Sequence, residues 1–277
     1  MGSFSTNTST VRHPAVAGLF YPDDGESLRE MLSRLLSRVS SIELPVQPKA
    51  LIVPHAGYPY SGEVAASAYA LLEPYRRRIS RVVVFGPAHR VYLRGIALPE
   101  AQIFATPLGQ VQVDRVGRSL LLARGDVLAS DAPHELEHCL EVQLPFLQTI
   151  LDEFTVLPLV IGDTSPQQVE SVLRDVWGGA ETLLVASSDL SHYHSSAEAR
   201  VLDAATADAI LNRHSDLTGE QACGAGGING LMRAARRLGL SVTEIARQNS
   251  GDTSGDTRHV VGYGAFAIHE PGQHTPS

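Results

Sequence analysis

Leu51–Gly62 reads LIVPHAGYPYSG. Three aliphatic residues run into a proline, a histidine follows at once, and glycines, tyrosines and a serine close the stretch. The arrangement recurs at Val82–His89 (VVVFGPAH) and at Leu183–His194 (LLVASSDLSHYH). Short β-branched runs bounded by Pro and Gly read as buried strands. Three such strands, each delivering a histidine just past its end, are the pattern of an α/β sheet whose ligand crevice lies beyond the carboxyl ends of its strands.

The rest of the chain reads the same way. Ser27–Val39 has the spacing of an amphipathic helix, with Ser27 and Glu30 placed as a capping box. Ala50–Val53, Arg81–Phe85, Thr155–Ile161, Thr182–Ala186, Ser241–Arg247 and His259–Ile268 read as strands. Helices are expected over roughly Glu63–Leu72, Glu137–Phe154 (kinked at Pro145), Gln167–Trp177, Ala197–Leu211 and Ile228–Leu238, and Gly95–Val113 reads as a hairpin excursion. Strands alternate with helices and no linker interrupts them. The expectation is one α/β domain over residues 11–269, with a largely parallel central sheet flanked by helices and short tails at 1–10 and 270–277.

Composition narrows the function. The 277 residues are 43% hydrophobic, enough for one large core. Net charge is −8 and the longest basic run is Arg76–Arg78, which argues against nucleic-acid binding. No apolar stretch approaches the ~20 residues of a membrane span. The polar start MGSFSTNTST lacks a signal-peptide core. It matches the myristoylation pattern at Gly2 and Thr6, but so short a pattern reads better as part of a flexible tail. Two cysteines, Cys139 and Cys223, make no disulfide scaffold, so a cytoplasmic setting is expected.

Neutral imidazole is the commonest side-chain metal ligand, and two His plus a carboxylate suits non-haem Fe(II). His55 and His89 are the natural pair. Asp189 and the NSGDTSGD loop (Asp252 or Asp256) offer carboxylates. His134–His138 satisfies H-E-x-x-H, the zinc-peptidase pattern, but Pro133 places His134 at a helix start rather than on a regular helical face. Glu137, His138 and Glu141 read either as groups facing the crevice or as an ordinary cluster at a helix N-terminus.

VRHPAVAGLFYP, PHAGYPYSG, GPAH, ATPLG, EHCLEVQLPFLQ, SSDLSHYH, NSGDTSGD and VVGYGAF, in that order from Val11 to Ile268, resemble the MEMO family, protein B of the AmmeMemoRadiSam system. The resemblance implies a fold similar to class III extradiol dioxygenases, a copper- or iron-binding site in animal members, and a radical-SAM protein and an AMMECR1-like protein as companions. Peptide binding is also described for animal members. Carried over residue by residue, the family's site histidines fall on His55 and His89, its Asp and His after the SSD strand on Asp189 and His192, and its aromatic walls on Phe20 and Tyr60. In animal members a cysteine in the last loop is a further ligand. Counting back from VVGYGAF places Thr253 there, so the soft sulfur is lost and neighbouring Asp252 supplies an oxygen instead.

Three readings follow. The first is a mononuclear Fe(II) oxidoreductase acting on an unidentified small molecule, with copper or zinc as the alternative ions. His55, His89 and Asp252 are its ligands, His192 oriented by Asp189 its acid–base group, and Phe20, Tyr60, His138 and Thr253 its pocket. The second is a non-enzymatic metal- or peptide-binding module using the same pocket. The third is an HExxH metallopeptidase.

Overall fold

The computed structural model describes residues 10–40, 44 and 46–271. The expected tails and the myristoylation pattern fall almost wholly outside the described residues.

Twelve strands are formed among these residues: β1 (Val11–Arg12), β2 (Ala50–Val53), β3 (Arg81–Pro87), β4 (Ile96–Leu98), β5 (Ile103–Thr106), β6 (Gly109–Val113), β7 (Val127–Ala129), β8 (Thr155–Ile161), β9 (Thr182–Ser187), β10 (His192–His194), β11 (Ser241–Asn249) and β12 (Val260–His269). The α-helices are α1 (Gly25–Ser37), α2 (Tyr58–Tyr69), α3 (Arg115–Leu122), α4 (Ala132–Glu135), α5 (Leu144–Ile150), α6 (Pro166–Asp175), α7 (Ser196–Leu211), α8 (Ala225–Leu238) and α9 (Ser250–Ser254).

Four parallel strands in the order β8-β3-β9-β2 form the centre of the sheet. They alternate sides within an unbroken apolar run. Leu51, Val53, Val82 and Val84 enter one core and Ala50, Ile52, Val83 and Phe85 the other. Each fully buried Val, Leu or Ile contributes about 1.5–3 kcal/mol of transfer free energy, so burial on both faces fixes these strands at the centre.

The sheet as a whole is mixed, which corrects the expectation of a largely parallel one. β12 runs antiparallel to β2, with Phe266 opposite Ile52, and carries antiparallel β11 and β10. On the other flank β5 and β6 form an antiparallel hairpin and β4 runs antiparallel to β8. The physical reason is connection length. Only about ten residues separate β11 from β12, which allows a hairpin return but not a helical crossover.

Several helices also differ from expectation. α1 begins earlier because Asp24, not Ser27, is its cap, accepting from Ser27 N at 2.8 Å. The long helix expected over Glu137–Phe154 does not form. Residues 141–143 make a 3₁₀ turn and α5 starts only at Leu144, with Pro145 in its first turn, where a missing N–H costs nothing. α4 is a four-residue turn that ends before His138.

Candidate metal centre

β3, β9 and β2 are neighbours and all run the same way, so their carboxyl ends lie side by side. His55 follows β2 by two residues, His89 follows β3 by two, and Asp189 follows β9 by two. The crevice beyond these ends is completed by the turn after α4. That turn can approach β3 because residue 86 is glycine: a Cβ there would stand 2.7 Å from Cys139 Sγ.

The side chains that meet are His55, His89 and His138. Their ring centroids are 5.1, 5.2 and 4.8 Å apart, and one ring nitrogen from each lies within 4.8 Å of the others. The rings of His55 and His89 are held from behind. Ser187 Oγ donates its single hydrogen to Cys139 O at 2.6 Å, so His55 Nδ1, 2.9 Å away, must carry the proton and donate to Ser187. Glu137 Oε1 accepts from His89 Nδ1 at 2.9 Å and Oε2 accepts from His89 N at 2.7 Å. His138 Nδ1 stands 3.2 Å from Glu137 Oε1, off the line of a good hydrogen bond. Protons held at Nδ1 leave Nε2 as the lone-pair nitrogen of His55 and of His89, the arrangement that orients imidazoles as metal ligands.

Charge follows the same logic. Burial, then repulsion from His138 and His89, holds the His55 pKa well below the usual histidine value, so its ring stays neutral. Burial opposes ionisation of Glu137, but contacts with His138 and His89 outweigh it and its pKa falls well below the carboxylate range. One buried negative charge therefore stands behind the cluster of His55, His89 and His138. That donor set fits a divalent cation, and imidazole-rich sites suit iron, copper and zinc.

A thiol joins the site from an unexpected direction. Cys223 Sγ lies 3.2 Å from His55 Nε2, delivered by the turn into α8. That turn packs tightly: a Cβ on Gly224 would stand 2.7 Å from Ser187 O and Ser188 Cβ. Burial, then the Asp189 carboxylate, pushes the Cys223 thiol up to about 12. Nothing in ACGAGGING marked this cysteine. Its signal is the strand-loop geometry, not a motif.

The expected residues fare unequally. Asp252 is not part of the cluster. It is the third helical residue of α9, where Oδ2 accepts from Asn249 N at 3.0 Å and Oδ1 pairs with Arg200. Thr253 beside it is exposed and donates to Ser250 O, so the last loop supplies neither the sulfur nor its oxygen substitute. Asp189 is buried, but Oδ1 accepts from His55 N at 2.7 Å rather than from His192. It thus fixes the His55 loop, and no hydrogen bond between Asp189 and His192 occurs among the described residues. His192 is half-buried at the start of β10 and close enough to perturb both His55 and Asp189 electrostatically. Phe20 packs on His138 at 4.9 Å, whereas Tyr60 stands half-exposed in the first turn of α2.

The two histidines of the peptidase pattern are separated. His134 is buried, bonds Ala97 O through Nε2 at 3.1 Å and sits edge-on to Phe104. His138 alone reaches the crevice. Arg12 ties the segment between them to the N-terminal strand through His134 O, Glu137 O and the buried Glu141 carboxylate, which also accepts from Tyr21 and from the Ala15 and Val16 amides. Among the described residues no helix is long and apolar enough to cross a membrane.

A family model described as Memo-like protein matches residues 12–267. A MEMO1 family protein of Methanosarcina mazei is 36% identical, covering 93% of this chain and 99% of the relative. A MEMO1 family protein of Thermotoga neapolitana is also 36% identical, over 91% of this chain and 98% of its own length. A third, from Nitrosopumilus maritimus, is 33% identical over 92% and 98%. With the crevice, the histidine cluster and the order of motifs all in place, the chain belongs to the Memo-like family.

Proposed function

We propose that this protein is a mononuclear metal-dependent oxidoreductase, similar in kind to extradiol dioxygenases. His55, His89 and His138 would hold Fe(II), with a small molecule as substrate. The observation that carries the reading is the Nδ1 anchoring, by Ser187 and Glu137, of rings that converge on one point. A redox ion bound there would supply open coordination positions for substrate and oxygen.

The chain's own groups then have separate tasks. Ser187 and Glu137 orient the ligand rings. Asp189 fixes the His55 backbone. His192, half-buried and free of the cluster, is the group suited to move a proton. Phe20 closes one wall against His138. A radical-SAM protein and an AMMECR1-like protein are proposed as companions on family resemblance alone. Copper is the second reading for the ion, favoured by Cys223 Sγ at 3.2 Å from His55. Cys223 thus offers a soft sulfur at the site although the last loop holds no cysteine.

Nitric oxide tests the proposal without knowledge of the substrate. Protein reconstituted anaerobically with Fe(II) should give a quartet iron–nitrosyl signal in electron paramagnetic resonance, lost in His55→Ala. Failure to bind Fe(II), or bound Fe(II) that stays closed to nitric oxide, would contradict it.

A further inference from the structure

A second cavity, of about 520 Å³, lies at the far end of the sheet from the histidines. Val46–Lys49 precede β2, Tyr75 and Arg78 precede β3, and Trp177–Ala180 precede β9, so it is built at the amino ends of the strands. Its volume is in the range of small-molecule sites.

The walls are fixed. Lys49, the chain's one lysine, donates from Nζ to Trp177 O, Gly179 O and Thr182 O at 2.6, 2.8 and 2.8 Å, and stands 5.5 Å over the Trp177 ring. Three carbonyls converging on one nitrogen suit an ammonium and not a planar guanidinium. Gln47 Nε2 donates to Ala180 O at 2.7 Å. The Lys49 ammonium thus spends all three of its donors on the wall and has none left for a ligand.

Arg78 differs. Its neighbours Arg76 and Arg77 share Asp152, at 2.7 and 3.4 Å, whereas Arg78 has no side-chain partner among the described residues. It faces a cavity lined by the aromatic rings of Trp177 and Tyr75 and by Val46 and Pro48. Glu270, also in the lining, disfavours a multiply charged guest.

We propose that this cavity binds a small planar aromatic monocarboxylate, its acid group paired with the Arg78 fork and its ring held by Trp177 and Tyr75.

Trp177 is the chain's only tryptophan, so its indole N–H is a single reporter resonance. The probe is benzoate, titrated into ¹⁵N-labelled protein, with benzamide and cyclohexanecarboxylate as comparators. Benzoate should shift the indole resonance saturably. Affinity should fall by about tenfold or more for benzamide and for Arg78→Ala. It should also be weaker for cyclohexanecarboxylate and unchanged in His55→Ala, which separates this site from the metal centre. No saturable shift, undiminished binding by Arg78→Ala, or either comparator binding as tightly as benzoate would overturn the proposal.

Discussion

Glu137→Gln is the sharpest probe of the architecture behind the histidines. The change keeps shape and removes charge. In the wild-type protein the carboxylate accepts from His89 N at 2.7 Å, His89 Nδ1 at 2.9 Å and Cys139 N at 3.1 Å. A glutamine has one oxygen to offer, and its NH₂ must face one of these donors. The His89 ring loses a charge-assisted hydrogen bond or its backbone anchor, a loss of about 1.5–3 kcal/mol. Losing the group behind a ligating imidazole typically costs about 10–100-fold in metal affinity. The assay is anaerobic competition for Fe(II) against a chromogenic chelator, with calorimetry to show that the variant is folded. The expected result is a folded protein with affinity reduced by that factor. A folded variant whose affinity is unchanged would refute the claim that Glu137 orients the ligands.

Three other outcomes follow from particular contacts. Burial lowers the His134 pKa to about 4, so the unfolded chain binds the extra proton first. Stability from this group is present above pH 6.5 and falls by about 3 kcal/mol as pH drops toward 4. Denaturant titrations across that window should show a steeper loss for wild type than for His134→Gln, and equal slopes would refute it. Gly262→Ala would place a Cβ about 2.0 Å from Asp203 Oδ2, the buried carboxylate that holds Ser191 N. It should lower stability by roughly 1–3 kcal/mol and shift the His192 resonances, and a neutral effect would show that α7 yields freely. Cys223→Ser should weaken Cu(I) binding while leaving Fe(II) binding largely intact, because removing a soft donor matters most to the soft ion. Equal losses for the two metals would contradict that division.

The central sheet was legible because its strands are buried on both faces and so read as unbroken apolar runs ending in Pro, Gly and His. Its direction at the flanks was not. An antiparallel return such as β11–β12 leaves the same apolar pattern as a parallel strand, and pairing is decided by loop length and neighbours. His55 and His89 were visible for the reason the strands were. His138 was read as part of the pocket and not as a ligand, because nothing local reveals that residues 137–140 turn out of helical geometry to place Glu137 behind two imidazoles. Asp252 misled in the opposite sense. Its glycine- and serine-rich surroundings resemble a binding loop, but the residue three positions after an Asn is also where a capping box places its carboxylate. Cys223 had no sequence signal, since its proximity to His55 depends on a helix entry packing against a strand end 36 residues earlier.

The third ligand is the claim on which the account turns, and metal stoichiometry of His138→Ala beside Asp252→Ala measures it. Both variants are purified anaerobically with Fe(II) and analysed for metal per chain. The account predicts that His138→Ala loses most of its iron, as His55→Ala and His89→Ala do, while Asp252→Ala keeps it and loses only the stability of the α9 cap. Iron retained by His138→Ala and lost by Asp252→Ala would contradict the assignment.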